Sequence, residues 1–278
     1  MPYFAVDDET KLYYEEYGKD KKETVLILHG LGSSHFKLQN FINEFKSDYH
    51  LVFYDHRGHG SSDSPKMHIN LQRLAKDLNQ MIEYLGLKDI NVIGHSMGAA
   101  TVFNYINQFG TSKLKSITVV DMSPYLRNKD WKGGIARGEW TDEDYFNDFD
   151  RMFDDLAEAN WYITKEGMNH EYRKIPKEME QVMINSIRDG SIHPFINVGF
   201  WYSLFRTDQR PFISKIDKPL LYVMPDFPLY SMTTVNFYKD NVKGKFQLEN
   251  NFPKTTHLIL MEAPKEVAES VKKFIKSN

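Results

Sequence analysis

A serine flanked by glycines is the feature that most constrains this chain. Residues 94–98 read Gly-His-Ser-Met-Gly, with Ser96 at the centre. The apolar residues before this run are typical of a short β-strand, and the run from Ala99 to Phe109 is typical of a helix. A sharp strand-to-helix turn exposes a serine hydroxyl, and only small neighbours let the chain pass close to it. This context predicts that Ser96 is a nucleophile.

A serine hydroxyl is a poor nucleophile unless a base takes its proton. Three of the ten histidines follow Ser96, and they are His170, His193 and His257. His257 follows a strand-like run and precedes the last helix, a position at the carboxyl edge of a sheet, where ligands bind in open α/β folds. We therefore predict His257 as the base, and we interpret His170 and His193 as surface or helix-capping residues.

A glycine-rich turn follows the apolar run Val25–Leu28. Residues 29–32 read His-Gly-Leu-Gly, and such a turn directs backbone N–H groups into a cleft. We predict that the N–H groups of Leu31 and Met97 form an oxyanion hole. The alternative is that the glycines only make a tight turn.

Four stretches of the chain resemble the α/β-hydrolase superfamily, in the family's order and over nearly the full length. They are His-Gly-Leu-Gly at 29–32, Asp-His-Arg-Gly-His-Gly-Ser-Ser at 55–62, the serine motif at 94–98, and His257 before Glu-Ala-Pro at 262–264. The resemblance implies an α/β fold with a doubly wound, mostly parallel, eight-stranded sheet and an inserted helical cap. It also implies a Ser–acid–His triad. Within the superfamily, the chain is similar to the small serine esterases, lactonases and cofactor-free chloroperoxidases.

The acid of the triad departs from the family's common pattern. The family usually places an Asp after the strand that follows the insertion, but here Phe227 stands at that position and Asp226 comes one residue early. A minority of the family carries the acid after the preceding strand, where Asp121 follows Ser116–Val120. We favour Asp121 as the residue that orients His257 and keep Asp226 as the alternative. The remaining interpretation of Asp121 is a loop cap.

Strand-like and helical segments alternate along most of the chain. The predicted strands are Phe4–Val6, Leu12–Glu16, Val25–Leu28, Leu51–Tyr54, Asn91–Ile93, Ser116–Val120, Leu220–Val223 and Lys245–Leu248. Apolar residues recur at helical spacing over 71–85 and again after Pro264. This alternation predicts a parallel sheet that is buried on both faces. The core is predicted to comprise residues 1–123 and 213–278.

Residues 124–212 are too long for a plain connection within a compact domain and must carry structure of their own. Helical patterns follow Thr141 and Pro176, and an apolar run extends from Phe195 to Phe205. We interpret the segment as a helical cap over Ser96. Most of its aromatic side chains are expected to form the cap's own core. A few could line an apolar pocket, and the candidates are Trp131, Trp140, Trp161 and Trp201.

Composition excludes several other classes of protein. The net charge of −3 gives no basic field for nucleic acid, and no apolar run reaches the ~18 residues of a membrane span. The sequence contains no cysteine, and its start lacks the pattern of a signal peptide, so we expect a cytoplasmic location.

His56 and His59 form an H-x-x-H pattern without further ligands nearby, so we predict no metal. No nucleotide-binding glycine motif occurs.

The sequence therefore predicts a serine hydrolase that cleaves carboxylic ester, lactone or thioester bonds of small apolar acyl substrates without a cofactor. Ser96 attacks, His257 transfers the proton, and Asp121 orients His257. One alternative is a cofactor-free perhydrolase or haloperoxidase-like activity. Another is a low-turnover ligand-binding receptor of the same fold, and the sequence leaves open whether the chain forms a homodimer.

Overall fold

The computed structural model describes residues 2–168, 176–189 and 193–278. Its strands are β1 (Tyr3–Ala5), β2 (Lys11–Tyr17), β3 (Thr24–Leu28), β4 (His50–Tyr54), β5 (Ile90–His95), β6 (Leu114–Val120), β7 (Leu220–Val223) and β8 (Phe246–Glu249). Its helices are α1 (His35–Asn43), α2 (Leu71–Tyr84), α3 (Met97–Phe109), α4 (Asp142–Asp154), α5 (Leu156–Met168), α6 (Lys177–Asp189), α7 (Pro194–Arg206), α8 (Arg210–Ile213), α9 (Met232–Asn241), α10 (Ile259–Glu262) and α11 (Pro264–Lys276). Within the three described ranges, no helix is both long and apolar enough to cross a membrane.

The strands form one eight-stranded sheet in the order β1-β2-β4-β3-β5-β6-β7-β8. The pairs β1–β2 and β2–β4 are antiparallel, and the strands from β4 to β8 in this order run parallel. Successive parallel strands are joined through helices, as alternating apolar strands and amphipathic helices require. The predicted fold class, a doubly wound and mostly parallel sheet, is confirmed.

The strands β3 to β7 are buried on both faces of the sheet, and neighbouring residues of each strand point to opposite faces. On β3, for example, Leu26 and Leu28 belong to one apolar cluster, and Val25 and Ile27 belong to the other. The first cluster includes the apolar faces of α2, α3 and α9. The second includes those of α1 and α11. The helices on the two faces hold the strands in register and so fix where each strand ends.

The carboxyl ends of β5, β6 and β7 lie side by side, and the turns that follow them are tied together. The Ser96 N–H donates to the carbonyl of Val120 at 3.1 Å, and the Asp121 N–H donates to the carbonyl of Val223 at 3.0 Å. The first residues beyond β5 and β6 therefore emerge at the same edge of the sheet. This is the edge at which open α/β folds bind ligands.

The turn after β4 is braced by a buried ion pair. The guanidinium of Arg57 donates to both carboxylate oxygens of Asp77 on α2, at 2.6 and 2.8 Å, and also to Asp8 at 2.9 Å. Arg57 and Asp77 are fully buried. At Gly60 a Cβ atom would lie 2.1 Å from the carboxylate of Asp55, so only glycine fits this turn. These residues fasten the turn to the body of the sheet.

Helices α4 to α7 occupy the segment between β6 and β7. The predicted helix after Thr141 is α4, which begins with a capping box between Thr141 and Asp144. The helical patterns after Pro176 and around Phe195 correspond to α6 and α7. Helix α5, in contrast, is not predicted by the sequence. Helix α7 is tied to the core where the Leu71 N–H of α2 donates to the hydroxyl of Ser203 at 3.0 Å.

Candidate functional site

Ser96 lies at a tight turn between β5 and α3, in a backbone conformation that side chains rarely adopt. Its φ is 51° and its ψ is −120°. A Cβ atom at Gly94 would lie 2.5 Å from the amide nitrogen of Ala99, and one at Gly98 would lie 2.3 Å from the carbonyl oxygen of Leu28. Both glycines are therefore required by close backbone approaches. The turn places Ser96 at the start of α3 and on the wall of a cavity.

The glycine-rich turn after β3 passes directly beside Ser96. A Cβ atom at Gly30 would lie 3.1 Å from the Ser96 Cβ. In the described part of the chain, the N–H of the next residue, Leu31, has no hydrogen-bond acceptor. Met97 is the first residue of α3, where a helical N–H has no partner within the helix. Two backbone donors thus flank the serine, and the positive end of the α3 dipole adds to them.

Asp121 and His257 are hydrogen-bonded to each other. The distance from Asp121 Oδ2 to His257 Nδ1 is 2.8 Å, and Asp121 is fully buried. The same carboxylate oxygen accepts the Leu229 N–H at 3.0 Å. Because a carboxylate only accepts, His257 Nδ1 carries the proton and Nε2 is left with a free lone pair. His257 also lines the cavity that Ser96 lines.

Asp226, the alternative acid, forms hydrogen bonds with the loop that precedes His257. Its carboxylate accepts the Lys254 N–H at 2.9 Å, and its own N–H donates to the Thr255 hydroxyl oxygen at 3.3 Å. The residue is exposed to solvent. Asp226 therefore ties down the loop that precedes His257 and does not contact the imidazole. The geometry favours Asp121 over Asp226 as the partner of His257.

The two remaining candidate histidines do not join this arrangement. His193 is exposed at the N-terminus of α7, where its Nδ1 accepts the Phe195 N–H at 3.2 Å. This is the capping position that the sequence interpretation gave it. His170 lies outside the described residues.

His95, which sequence reasoning passed over, is a further part of the site. The His95 Nε2–H donates to the backbone carbonyl of His257 at 2.8 Å, and the two rings lie 4.9 Å apart. Burial and the neighbouring His257 lower the pKa of His95 to about 3. His95 is therefore a neutral brace between the serine turn and the His257 loop. The Gly-x-Ser-x-Gly motif accepts any residue at position 95, so no local signal indicated a role for His95.

A cluster of buried histidines, formed by His29, His56 and His59, lies behind the glycine-rich turn. The His29 and His56 rings are 4.5 Å apart, and those of His29 and His59 are 5.1 Å apart. The His29 Nδ1–H donates to Gly30 O at 2.8 Å, and its Nε2 accepts the His56 N–H at 2.9 Å. The described ranges contain no group of three or more His, Cys, Asp or Glu side chains that could hold a metal ion. His56 and His59, the two histidines of the H-x-x-H pattern, pack with His29 as aromatic rings.

Burial keeps this histidine cluster uncharged. It lowers the pKa of His56 to about 3 and the pKa of His59 to about 4, with the mutual repulsion of the rings adding to the shift in His56. Burial also lowers the pKa of His29 well below its ordinary value. An ordinary histidine titrates near 6.5. At neutral pH the rings therefore pack as aromatic side chains.

A cavity of about 430 Å³ connects the serine turn to the helices between β6 and β7. Side chains from the core side of its wall include Leu31, Ser96 and His257, and those from the helices include Trp161 and Trp201. The other two tryptophans, Trp131 and Trp140, are not among the side chains that line this cavity. The Trp131 Nε1–H donates to Arg127 O at 2.8 Å, and Trp140 packs edge-on against Tyr145. Apolar side chains form most of the wall, as in other small-molecule sites.

Comparison with known proteins agrees with this fold. A family model described as the alpha/beta hydrolase fold matches residues 23–264. The chain belongs to the α/β-hydrolase fold family. A 3-oxoadipate enol-lactonase from Acinetobacter baylyi is 24% identical to this α/β hydrolase over 262 residues, which cover 94% of this chain and 91% of the enol-lactonase.

Two solved structures share the whole architecture of this α/β hydrolase. An esterase from Exiguobacterium antarcticum superposes with a TM-score of 0.82 at 20% identity, over 99% of this chain and 98% of the esterase. A bromoperoxidase from Bacillus anthracis superposes with a TM-score of 0.79 at 21% identity, over 96% of each chain. Because both identities are below 25%, the two superpositions show a shared fold only.

The contrast between the two acids gives a first prediction. Asp121→Asn keeps the size of the side chain but presents an amide that no longer stabilises the Nδ1–H tautomer of His257. We expect any turnover that uses His257 as a base to fall by roughly 10⁴-fold, the loss known for this change in a serine protease. Asp226→Asn is the matched control, because an amide oxygen still accepts the Lys254 N–H. If Asp226→Asn lowers kcat as much as Asp121→Asn does, the assignment of the acid is wrong.

The buried histidines give a second prediction, for stability against pH. Their folded-state pKa values lie below the unfolded value of about 6.5, so below that pH the unfolded chain binds more protons. The contribution of these histidines to the free energy of unfolding should be fully present above about pH 6.5. It should be lost progressively as the pH drops toward 4. Each such histidine contributes up to about 1.4 kcal/mol per pH unit to the slope.

His56→Phe tests this directly. Among the described residues neither ring nitrogen of His56 has a partner, so the change removes a titrating group without breaking a side-chain hydrogen bond. We expect the variant to lose less stability than the wild type between pH 7 and pH 4, measured by urea unfolding at each pH. His68→Asn, at an exposed position, should behave as the wild type. Equal losses in His56→Phe and the wild type would contradict the prediction.

Proposed function

We propose that the protein is a serine hydrolase that cleaves carboxylic ester or lactone bonds. The observation that carries this proposal is the 2.8 Å hydrogen bond between Asp121 and His257, at a cavity that Ser96 also lines. An oriented imidazole at the same cavity as a half-buried serine supports activation of the serine hydroxyl. The enol-lactonase and esterase relatives support this reaction class.

The proposed reaction proceeds through an acyl enzyme. Ser96 Oγ attacks the carbonyl carbon while His257 Nε2 takes the hydroxyl proton, and the carbonyl oxygen becomes an oxyanion. His257 then gives that proton to the leaving alkoxide as the ester bond breaks. Water attacks the acyl enzyme with His257 again as base, releasing the carboxylic acid and restoring Ser96.

The backbone N–H groups of Leu31 and Met97 are the proposed oxyanion hole. Gly30 passes beside Ser96, which supports a Leu31 N–H close to the developing oxyanion. Donors of this kind act on charge that develops only in the transition state, and one of them is typically worth about 10²- to 10³-fold in kcat. Asp121 stabilises the imidazolium that forms on His257 at the same moment.

Residues 124–212 are the proposed cap, and residues 1–123 and 213–278 the proposed core. Helices α5 and α7 contribute side chains to the wall of the same cavity as Ser96, which supports this division. A largely apolar wall favours small apolar acyl groups over charged ones. Closing such a wall around the acyl group also removes water, which strengthens the electrostatic contacts at the oxyanion.

The likeness to the bromoperoxidase favours one second candidate, perhydrolysis. In that reaction hydrogen peroxide takes the place of water on the acyl enzyme, and the product is a peroxy acid. The same Ser96, His257 and Asp121 would serve both reactions. Peracid formation from acetate esters in the presence of peroxide, measured by halide oxidation, separates this activity from simple hydrolysis.

The nucleophile is tested with para-nitrophenyl esters of graded chain length and a fluorophosphonate probe. We expect the wild type to hydrolyse these esters and to react with the probe, and Ser96→Ala to lose both, with a fall in turnover of about 10⁶-fold, as for loss of a triad serine. Ser47→Ala, an exposed serine far along the chain from the turn, is the matched control and should keep both activities. Labelling that persists in Ser96→Ala would place the nucleophile elsewhere.

A further inference from the structure

Polar side chains interrupt the apolar wall that α5 and α7 give to the cavity. Asn160, Thr164 and Asn197 line it among tryptophan, isoleucine and leucine side chains. The Thr164 hydroxyl donates to the carbonyl of Asn160 at 2.8 Å, so toward an occupant it can only accept. The two asparagines are the amide side chains of this wall.

The two asparagines are hydrogen-bonded to each other, but each keeps a polar side-chain atom without a partner in the described ranges. Asn197 Nδ2 donates to Asn160 Oδ1 at 3.2 Å. Asn197 is 1% exposed, and its Oδ1 has no partner among the residues described. Asn160 Nδ2, at the other end of the couple, donates to no protein group in the described ranges. Turning the Asn197 amide over exchanges its donor and acceptor, but one of its polar atoms stays unpaired in either case.

Trp201 adds a second buried polar atom on the same side of α7. It follows Asn197 by four residues, so the two side chains lie on one face of the helix. Trp201 is 7% exposed, and in the described part of the chain its Nε1–H has no acceptor. Buried polar groups are nearly always paired, because a missing hydrogen bond is costly. Both residues line the cavity, so an occupant is the group that can supply the missing partners.

The asparagine amides and the indole carry no charge, so an uncharged ligand group matches them. No Asp, Glu or Arg of the described residues lines the cavity, and Lys37, which does, comes from α1 and donates to the carbonyl of Gly32 at 2.9 Å. Asn197 offers an acceptor, whereas Asn160 and Trp201 offer donors. A ligand group must therefore donate one hydrogen bond and accept at least one. A secondary amide does both within a single planar unit.

We propose that Asn160, Asn197 and Trp201 form an amide subsite in the cavity, and that the preferred substrates are esters whose acyl chain carries a secondary amide. This inference rests on the proposed ester hydrolysis and narrows its substrate class. The amide N–H donates to Asn197, and the amide oxygen accepts from Asn160 or Trp201. An unbroken alkyl chain in the same place leaves these groups buried and unpaired, so it binds more weakly by about 10- to 100-fold.

The test measures binding to Ser96→Ala, in which the ester stays intact. Ethyl esters of N-acetylglycine, N-acetyl-β-alanine and N-acetyl-4-aminobutanoate are compared by calorimetry with ethyl pentanoate, hexanoate and heptanoate, which match them in chain length. At one spacer length we expect the amide ester to bind at least about tenfold more tightly than its alkyl match. Adding Asn197→Leu, of nearly equal shape, should remove that preference.

Tyr202→Phe in the same Ser96→Ala background is the matched control. Tyr202 is the next residue of α7, but its side chain is exposed and its hydroxyl accepts from Arg206 at 3.0 Å, outside the cavity. This variant should keep the full preference for the amide ester. If Asn197→Leu does not fold, Asn160→Ala carries the same comparison, because Asn160 is only partly buried.

The outcomes for the subsite and for the proposed function are separable. Equal binding of amide and alkyl esters at every spacer length overturns the subsite. Wild-type hydrolysis of both series without an amide preference also overturns it, while supporting ester hydrolysis. Amide-selective binding that depends on Asn197, together with no turnover of either series by the wild type, supports the subsite and overturns the proposed function.

Discussion

The hydrogen bond between Asp121 and His257 joins two side chains that lie 136 positions apart, and it depends on the whole sheet. Asp121 is the first residue beyond β6, and its N–H is fixed by the carbonyl of Val223 on β7. His257 lies beyond β8, in a loop held by the Thr256 N–H, which donates to Glu262 at 2.6 Å. A shift in the register of β6, β7 or β8 would separate the carboxylate from the imidazole. The pairing of three parallel strands is thus the scaffold of the site.

Backbone strain is concentrated at this same edge of the sheet. Ser96 has a φ of 51° and Asp121 a φ of 40°, and each directly follows a buried parallel strand. Residues are held in such conformations only where their surroundings over-determine them, and they cluster at functional sites. Here the close contacts at Gly94 and Gly98 fix the first turn, and strand pairing fixes the second. The His95 bond to the His257 carbonyl then connects the serine turn to the third loop.

Local sequence signals were sufficient for the sheet, the serine turn and the helices α2, α3, α4, α6, α7 and α11, because each of these follows from short-range periodicity or from glycines with a steric task. The other helices were not predicted, and among them α5 has only a weak apolar stripe. The acid was harder to predict, since Asp121 and Asp226 both follow strands. What separates them is a long-range contact, as the Lys254 N–H engages Asp226. No local pattern records such a contact.

The wall of the cavity was likewise beyond prediction from sequence. Four tryptophans in the segment between β6 and β7 are equivalent by composition, yet Trp161 and Trp201 line the cavity. Their positions around the cavity are set by the packing of α5 against α4 and α6 and of α7 against α4 and α2, not by the residues themselves. Because binding surfaces depend on such packing, the sequence predicted the fold family more readily than the side chains that line the cavity.

The charges near Ser96 are few, and this has a consequence for catalysis. Burial keeps the rings of His29, His56, His59 and His95 neutral at physiological pH, and their lowered pKa values follow from that burial. A buried charge next to the serine turn would act strongly on the oxyanion and on the imidazolium, because the surrounding dielectric constant is low. In the proposed reaction, neutral aromatic packing instead leaves the Asp121 carboxylate and the backbone donors as the groups that respond to charge as it develops.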